Sequence, residues 1–98
     1  MDTNARDNYA QKQVFNKERK VFSDSDRLCI GLKQSRKALL EDKAEKVFIA
    51  FDADDFIKDE IRALSEKKNI PLNVENTMKQ LGEKCNIEVG AAVVVILR

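Results

Sequence analysis

A group of side chains able to bind an anion follows a glycine in the segment Gly31-Leu32-Lys33-Gln34-Ser35-Arg36-Lys37. The first turn of a helix carries free backbone amides and a partial positive charge, so cations there cost about 0.3–1 kcal/mol each. Lys33, Arg36 and Lys37 nevertheless begin the predicted helix, and Glu41 and Asp42 end it. A bound phosphate would resolve this conflict, because it uses both the amides and the cations.

Gln34 stands within this cluster and can donate and accept hydrogen bonds, which suits the edge of a nucleic-acid base better than a phosphate. Charge pattern alone leaves a second interpretation open, in which Lys33 to Lys37 forms a solvated helix face without function. The sequence therefore points to a phosphate-binding or base-reading helix start without deciding the matter.

Three aspartates, Asp52, Asp54 and Asp55, form a second group that could bind a ligand or take part in a reaction. They could hold Mg²⁺ for a phosphate-directed enzyme, or they could begin the next helix, where acids are favoured. The chain contains no histidine, the commonest general base and metal ligand. This favours helix capping and a non-catalytic protein with neither metal nor cofactor.

Cys29 and Cys85 lack the paired spacing of a zinc site or a disulfide framework. We expect both to be reduced thiols in the protein core, Cys29 within a strand and Cys85 beside Met78 and Leu81 on one helix face.

The bulk composition predicts one small folded domain. Ninety-eight residues with 43% hydrophobic and 36% charged side chains can form a single core, and a net charge of +1 gives no overall basic signal. The longest apolar run, residues 91–97, is too short to cross a bilayer. We expect a cytoplasmic, monomeric protein without a membrane partner.

Alternating strand and helix patterns begin at Arg27 and predict an α/β protein, a three-layer α-β-α sandwich around a mixed four-stranded sheet. Ile57, Ile61 and Leu64 have helical spacing, and Thr77 with Gln80 matches a capping box. Three consecutive valines predict a central strand buried on both faces. The predicted strands are 28–30, 46 to 50 or 51, 72–74 and 91–97; the predicted helices are 33–40, from Asp54 or Asp55 to a stop at Asn69, and from Thr77 to about Lys84.

Residues 1–26 are interpreted as an extension that precedes a domain of residues 27–98. Val14-Phe15 and Val21-Phe22 repeat at a spacing of seven in an otherwise polar segment. This pattern fits either a docked amphipathic helix or a half-ordered extension.

Two sequence blocks resemble the kink-turn-binding ribosomal proteins of the L7Ae/L30e superfamily, particularly its small bacterial members. Gly31 to Leu39 is similar to the bacterial form of the family's glycine-led helix start, and Leu81 to Ala92 is the more specific match. Ala50 to Asp54 stands where the family has an acidic turn. Asn86 replaces the usual glycine, and asparagine tolerates a left-handed backbone better than most residues. The resemblance extends from about Arg27 to Leu97.

The resemblance implies binding to a kink-turn, an RNA duplex bent by a three-nucleotide bulge next to tandem sheared G·A pairs. In that case Lys33 and Gln34 would read guanine edges, and Ile87, Glu88 and Val89 would cover the bulged nucleotides, one of them flipped out. This agrees with the physical interpretation, because RNA is specified mainly where helices are distorted. The implied RNA-binding residues are Gly31, Leu32, Lys33, Gln34, Arg36, Lys37, Asp52, Ile87, Glu88 and Val89.

The implied partner is a structured RNA, within the ribosome or another ribonucleoprotein. One further alternative stays open, a protein-interaction module on the same fold, because relatives of this fold have turned to binding proteins and a near-neutral net charge suits that role.

Overall fold

The computed structural model describes Phe22 and residues 27–98. Apart from Phe22, the predicted extension 1–26 lies outside the described residues, and so does the docked-helix alternative. The described part contains β1 (Leu28–Ile30), α1 (Leu32–Leu40), β2 (Ala44–Ala50), α2 (Asp55–Lys67), β3 (Leu72–Asn76), α3 (Met78–Lys84) and β4 (Val93–Leu97).

The four strands form one mixed sheet in the order β1-β4-β2-β3. β4 is antiparallel to both β1 and β2, and β3 is parallel to β2. Val93, Val94 and Val95 are all fully buried, because β4 has a neighbour on each side and a core on each face. The prediction of a central strand buried on both faces is therefore confirmed.

Two separate cores cover the two faces of the sheet and produce the predicted three-layer α-β-α sandwich. On one face, Leu39 of α1 and Ile61 of α2 pack against Val93 and Val95. On the other face, Leu81 of α3 packs with Phe48 and Val94. The alternation of strand side chains distributes the apolar residues between both faces, so all three helices can bury an apolar side.

Phe22 lies on the α3 face of the sheet. Its ring centroid is 5.0 Å from that of Phe48, and its backbone N–H donates to the Lys84 carbonyl at 2.9 Å. The Lys46 ammonium lies 5.1 Å from the same Phe48 ring. The segment before β1 thus contributes at least one side chain to the second core.

Helix ends and turns agree with the predictions in most details. Thr77 and Gln80 form the expected capping box, and Asn69 and Asn86 adopt positive φ angles of 57° and 60°. Asp54 occupies the N-cap position of α2, but its side chain makes no capping hydrogen bond. Its contribution there is limited to a negative charge near the positive end of the helix.

The prediction of a strand starting at Ala91 was wrong by two residues. The Ala91 N–H donates to Met78 at the start of α3, and Ala92 accepts from the Ala50 N–H. These two residues form the bridge between α3 and β4 before the regular pairing begins at Val93. β2 starts two residues earlier than predicted, and β3 ends two residues later. No helix in the described part of the chain has the length and apolar character needed to cross a membrane.

Candidate nucleic-acid interface

The segments that carry the predicted site meet at one end of the sheet, where β1, β2 and β3 finish and β4 begins. Gly31, which follows β1, donates its N–H to the Val93 carbonyl, and Phe51, which follows β2, donates to Asn76 at the end of β3, both at 2.9 Å. We call this the loop end of the sheet. It brings together the start of α1, the turn 51–54, the start of α3 and the residues before β4.

Gly31 begins α1 with a backbone conformation that other residues rarely adopt. It is the N-cap residue, with φ 97° and ψ 165°, and no side chain caps the helix. A Cβ at this position would have open space around it, so the backbone angles and not crowding require glycine. The exposed amides of α1 therefore have no competing side-chain acceptor at its cap.

The acidic residues at the carboxyl end of α1 have ion-pair partners, whereas the lysine at its start has none among the described residues. Glu41 lies 3.3 Å from the Lys43 ammonium, and Asp42 lies 2.9 Å from that of Lys68. In the described part of the chain, no carboxylate lies within ion-pairing distance of Lys33 or Lys37. Both lysines are exposed. Four residues apart, they lie on the same side of α1.

Lys37 does not lie at the start of α1, as the sequence had suggested. Because α1 ends at Leu40, Lys37 is in its last turn, where a cation is favoured. The unfavourable cation is therefore Lys33 in the first turn, whereas Lys37 extends the same positive side along the helix.

Arg36 is engaged with α2. Its Nε and one terminal nitrogen donate to the two carboxylate oxygens of Glu60 at 2.5 and 3.1 Å. These hydrogen bonds lower the pKa of Glu60 below its usual range, against the effect of partial burial, and raise the pKa of Arg36. A bidentate pair fixes the guanidinium in one orientation. In this state Arg36 ties the two helices together, while its other terminal nitrogen takes no part in the pair and could still donate to RNA.

Residues 87–90 form a loop that is held on α3 at both ends. The Ile87 N–H donates to Gly82, and the Ala91 N–H donates to Met78, each at 3.0 Å. Gly82 is buried, and the backbone of Val89 passes directly over it. The loop backbone is therefore positioned before any ligand arrives, while the Glu88 and Val89 side chains are exposed.

A shallow groove of 320 Å³ lies between this loop, α3 and the turn after β2. Met78, Ile87 and Val89 supply apolar surface, and Lys79 opposes three acidic side chains. The lining residues are Asp52, Met78, Lys79, Glu83, Ile87, Glu88, Val89 and Gly90. Three carboxylates against one ammonium disfavour a phosphate, whereas an apolar floor with acceptors at its rim suits an unpaired base with amino groups.

Asp52 links the groove to the fold, because its Oδ1 accepts from the Met78 N–H at 2.8 Å. Asp55 lies 3.4 Å from the Lys58 ammonium. Among the described residues, no three acidic or cysteine side chains converge as a metal site would require. The geometry therefore gives no support to the metal-dependent alternative built on Asp52, Asp54 and Asp55.

Both cysteines are free and only partly buried. Cys29 packs against the first core and Cys85 against the second, so the prediction of core thiols is correct for their packing but overstated for their burial. Partial burial raises the pKa of the Cys85 thiol.

Sequence reasoning missed Met78, Lys79 and Glu83 as groove residues. Their contribution depends on the loop folding back over α3, which no local pattern announces. The four-residue spacing of Lys79 and Glu83 was the available signal, because it places both on one side of the helix.

Comparison with known proteins adds to this geometry. Residues 13–98 match the model of the ribosomal protein L7Ae/L30e/S12e/Gadd45 family. The chain belongs to this family. The predicted resemblance is thereby confirmed at the level of the family.

Curated bacterial relatives cover most of this family domain. A protein named "RNA-binding protein" from Geobacillus thermodenitrificans is 44% identical over 72 residues, which is 74% of this chain and 88% of the relative. The "RNA-binding protein YbxF" of Geobacillus stearothermophilus is 43% identical over 72 residues, which again is 74% of this chain and 88% of the relative.

Two solved structures share the L7Ae-family fold of this chain. The Giardia lamblia 15.5kD RNA binding protein superposes with a TM-score of 0.63 and 30% identity, covering 72% of this chain and 60% of that protein. A Bacillus halodurans protein of unknown function superposes with a TM-score of 0.68 at 21% identity, covering 72% of this chain and 71% of that one. The second match bears on the fold alone.

Proposed function

We propose that this protein is a non-catalytic RNA-binding protein that recognises a kink-turn. The start of α1 enters the groove of the duplex at the sheared G·A pairs, and loop 87–90 covers the bulge. The observation that carries this proposal is the meeting, at one end of the sheet, of the α1 start, with Lys33 and Gln34 exposed, and a loop held on α3 at both ends. A bent RNA presents a distorted duplex and splayed bases side by side, and this end of the protein offers a surface for each.

Each contact has a distinct role. Lys33 and Gln34 face guanine edges at the G·A pairs, where an ammonium donates to guanine acceptors and an amide can both donate and accept. Lys37 holds a base or the backbone, and Gly31 and Leu32 line the approach. The groove between loop 87–90, α3 and the turn after β2, which we call the α3 groove, receives one flipped nucleotide. Ile87 and Val89 supply its apolar contacts, and Glu88 and Asp52 supply acceptors.

The names of the curated relatives and of the Giardia protein support RNA as the ligand class. We further propose that the protein acts as a monomer within the ribosome or another ribonucleoprotein. Lys33 and Lys37 provide local positive charge that the net charge of +1 conceals.

The deciding experiment compares two RNAs of equal length and charge. One contains the tandem sheared G·A pairs and the three-nucleotide bulge, and the other has the G·A pairs converted to Watson–Crick pairs. We expect tight binding to the first and weaker binding to the second, by about 1–3 kcal/mol for each base edge that the protein can no longer read. Equal affinity for both RNAs would falsify kink-turn recognition. If the protein binds neither RNA but does bind a protein partner, the result would favour the protein-interaction alternative.

A further inference from the structure

Large apolar side chains are exposed mainly at the loop end. The five that the described residues expose are Ile30, Leu40, Phe51, Phe56 and Val89. Four of them lie at this end, and Leu40, at the far end of α1, is the exception. Val89 belongs to the groove already described, but Phe51 and Phe56 have no role in it. These two residues are 51% and 64% exposed. Large apolar side chains exposed at the same end of a protein are candidates for an interaction site.

Helix direction places Phe56 at the loop end of the sheet, as it does the start of α1. β1 and β2 are both antiparallel to β4 and so run the same way, and α1 and α2 each follow directly after their strand. The Arg36–Glu60 pair fixes the level at which the two helices meet. Leu32 and Phe56 each stand four residues earlier, about one helical turn towards the loop end. Phe56 therefore lies towards the same end of the sheet as Leu32 and Lys33, and α1 and α2 pack on the face opposite the α3 groove.

Phe51 lies at the same end of the sheet. The Lys58 ammonium donates to the Phe51 carbonyl at 2.9 Å, which connects the turn after β2 to the first turns of α2. We call Phe51 and Phe56 the aromatic platform. Both residues follow the carboxyl end of β2 in the chain, and Phe51 is adjacent in sequence to Asp52 of the α3 groove.

The charges around the platform determine which part of an RNA it can accept. Asp54 and Asp55 stand at the start of α2 and oppose its positive end. The Lys58 ammonium, 3.4 Å from Asp55, offsets one of the two charges, so one net negative charge disfavours phosphates there. The lysines of α1 attract the backbone instead. An aromatic face beside a phosphate-repelling helix start and a phosphate-attracting one suits the flat face of a base whose backbone runs towards α1.

We propose that the aromatic platform stacks on an unpaired RNA base, distinct from the nucleotide in the α3 groove, and that Phe56 is the principal stacking ring. This deepens the proposed function and depends on it. The protein then grips the kinked junction from both faces of its sheet, with one base in the groove and a second base against Phe56.

Fluorescence gives a direct test, because the chain contains no tryptophan. Phe56→Trp introduces a single tryptophan at the platform, which can be excited selectively over Tyr9, and Leu40→Trp is the matched control at the other end of the described helices. The probe is a kink-turn RNA with the three-nucleotide bulge and unpaired overhangs on both strands. At saturating RNA, we expect strong quenching for Phe56→Trp and little for Leu40→Trp. Unquenched emission from Phe56→Trp at saturation overturns the platform.

Affinity measurements separate this proposal from the function it depends on. Phe56→Ala should weaken binding about fivefold or more without changing the salt dependence, since the ring carries no charge. Leu40→Ala should bind like the wild type. Replacing the unpaired nucleotides one at a time by abasic ones should identify one position where the effect of Phe56→Ala disappears.

Two failures are distinguishable. Binding that is insensitive to the G·A pairs contradicts kink-turn recognition, whatever Phe56 does. Binding that requires the G·A pairs but is unaffected by Phe56→Ala contradicts only the platform.

Discussion

Gly82 and Val89 approach each other so closely that a Cβ on Gly82 would lie 2.1 Å from the Val89 carbonyl oxygen. The approach joins α3 to loop 87–90 through backbone atoms, so neither partner can give way by changing a rotamer. It makes the position of the proposed bulge-binding loop a direct consequence of one buried glycine in α3.

Gly82→Ala should therefore displace the loop, lowering the free energy of unfolding by about 1–3 kcal/mol and weakening kink-turn binding. Urea unfolding and an RNA titration measure the two effects. Gly90→Ala is the graded comparison, because its Cβ would approach the Met78 Cβ at 3.3 Å, which needs a far smaller shift. An unchanged RNA affinity in Gly82→Ala would show that the loop position does not matter for binding.

Gln34→Ala should lower the affinity for kink-turn RNA by about 1–3 kcal/mol and reduce the preference over the Watson–Crick version of the same RNA. The reason is that the variant removes a hydrogen-bonding group from a base edge while it keeps the charge of the surface. Both RNAs are titrated at one salt concentration. An equal decrease in affinity for both RNAs would contradict a base-reading role for Gln34.

Lys37→Ala should flatten the dependence of log affinity on log salt by about one unit, if the ammonium holds a phosphate. Titrations at several salt concentrations give the slope. Lys67→Ala is the control, because Lys67 is exposed near the carboxyl end of α2, away from the loop end. Equal slopes for the two variants would exclude a phosphate contact at Lys37.

Ser35→Ala should raise the free energy of unfolding by about 1 kcal/mol, because the Ser35 hydroxyl is fully buried and has no hydrogen-bond partner among the described residues. Ser65→Ala is the comparison, since the buried Ser65 hydroxyl donates to the Ile61 carbonyl at 2.7 Å and its removal should bring no such gain. Urea midpoints at constant slope measure the difference. Destabilisation by Ser35→Ala would show that the hydroxyl has a partner in solution.

Glu60→Gln should make stability less sensitive to acid. The hydrogen bond from Arg36 lowers the pKa of Glu60 in the folded state. A depressed folded pKa gives stability that is present above the unfolded pKa and lost as the pH falls through the folded pKa. Unfolding at pH 7 and at successively lower pH should show a shallower fall for Glu60→Gln than for Glu66→Gln, its exposed neighbour on α2. Identical acid profiles would mean that the ion pair does not persist in solution.

Most of the fold follows from local patterns. The capping box at Thr77, the helical spacing of Ile57 and Ile61 and the run of valines in β4 each reflect a short-range preference, and each was predicted correctly. The start of β4 was missed because Ala91 and Ala92 are apolar like the strand, yet the hydrogen bonds that define them go to α3 and β2. Long-range pairing decided that boundary.

The candidate site was less accessible from sequence, because its geometry depends on partners distant in the chain. The pair between Arg36 and Glu60 joins residues 24 positions apart, and the Asp52 bond to Met78 spans 26. The residue types suggested that these cations and carboxylates bind ligands, whereas in the fold Arg36 pairs with Glu60 of α2 and Asp52 accepts a hydrogen bond from the start of α3. The exposed positions of Phe51 and Phe56 have no sequence signature, since aromatic residues are ordinarily expected in the core.

β1 touches the remainder of the sheet only through β4, the described strand farthest along the chain. During synthesis, the partner that joins β1 to β2 is thus made after every other described element. The start of α1 and loop 87–90 acquire their final relative positions only at that step, so the proposed RNA surface is incomplete until β4 has left the ribosome.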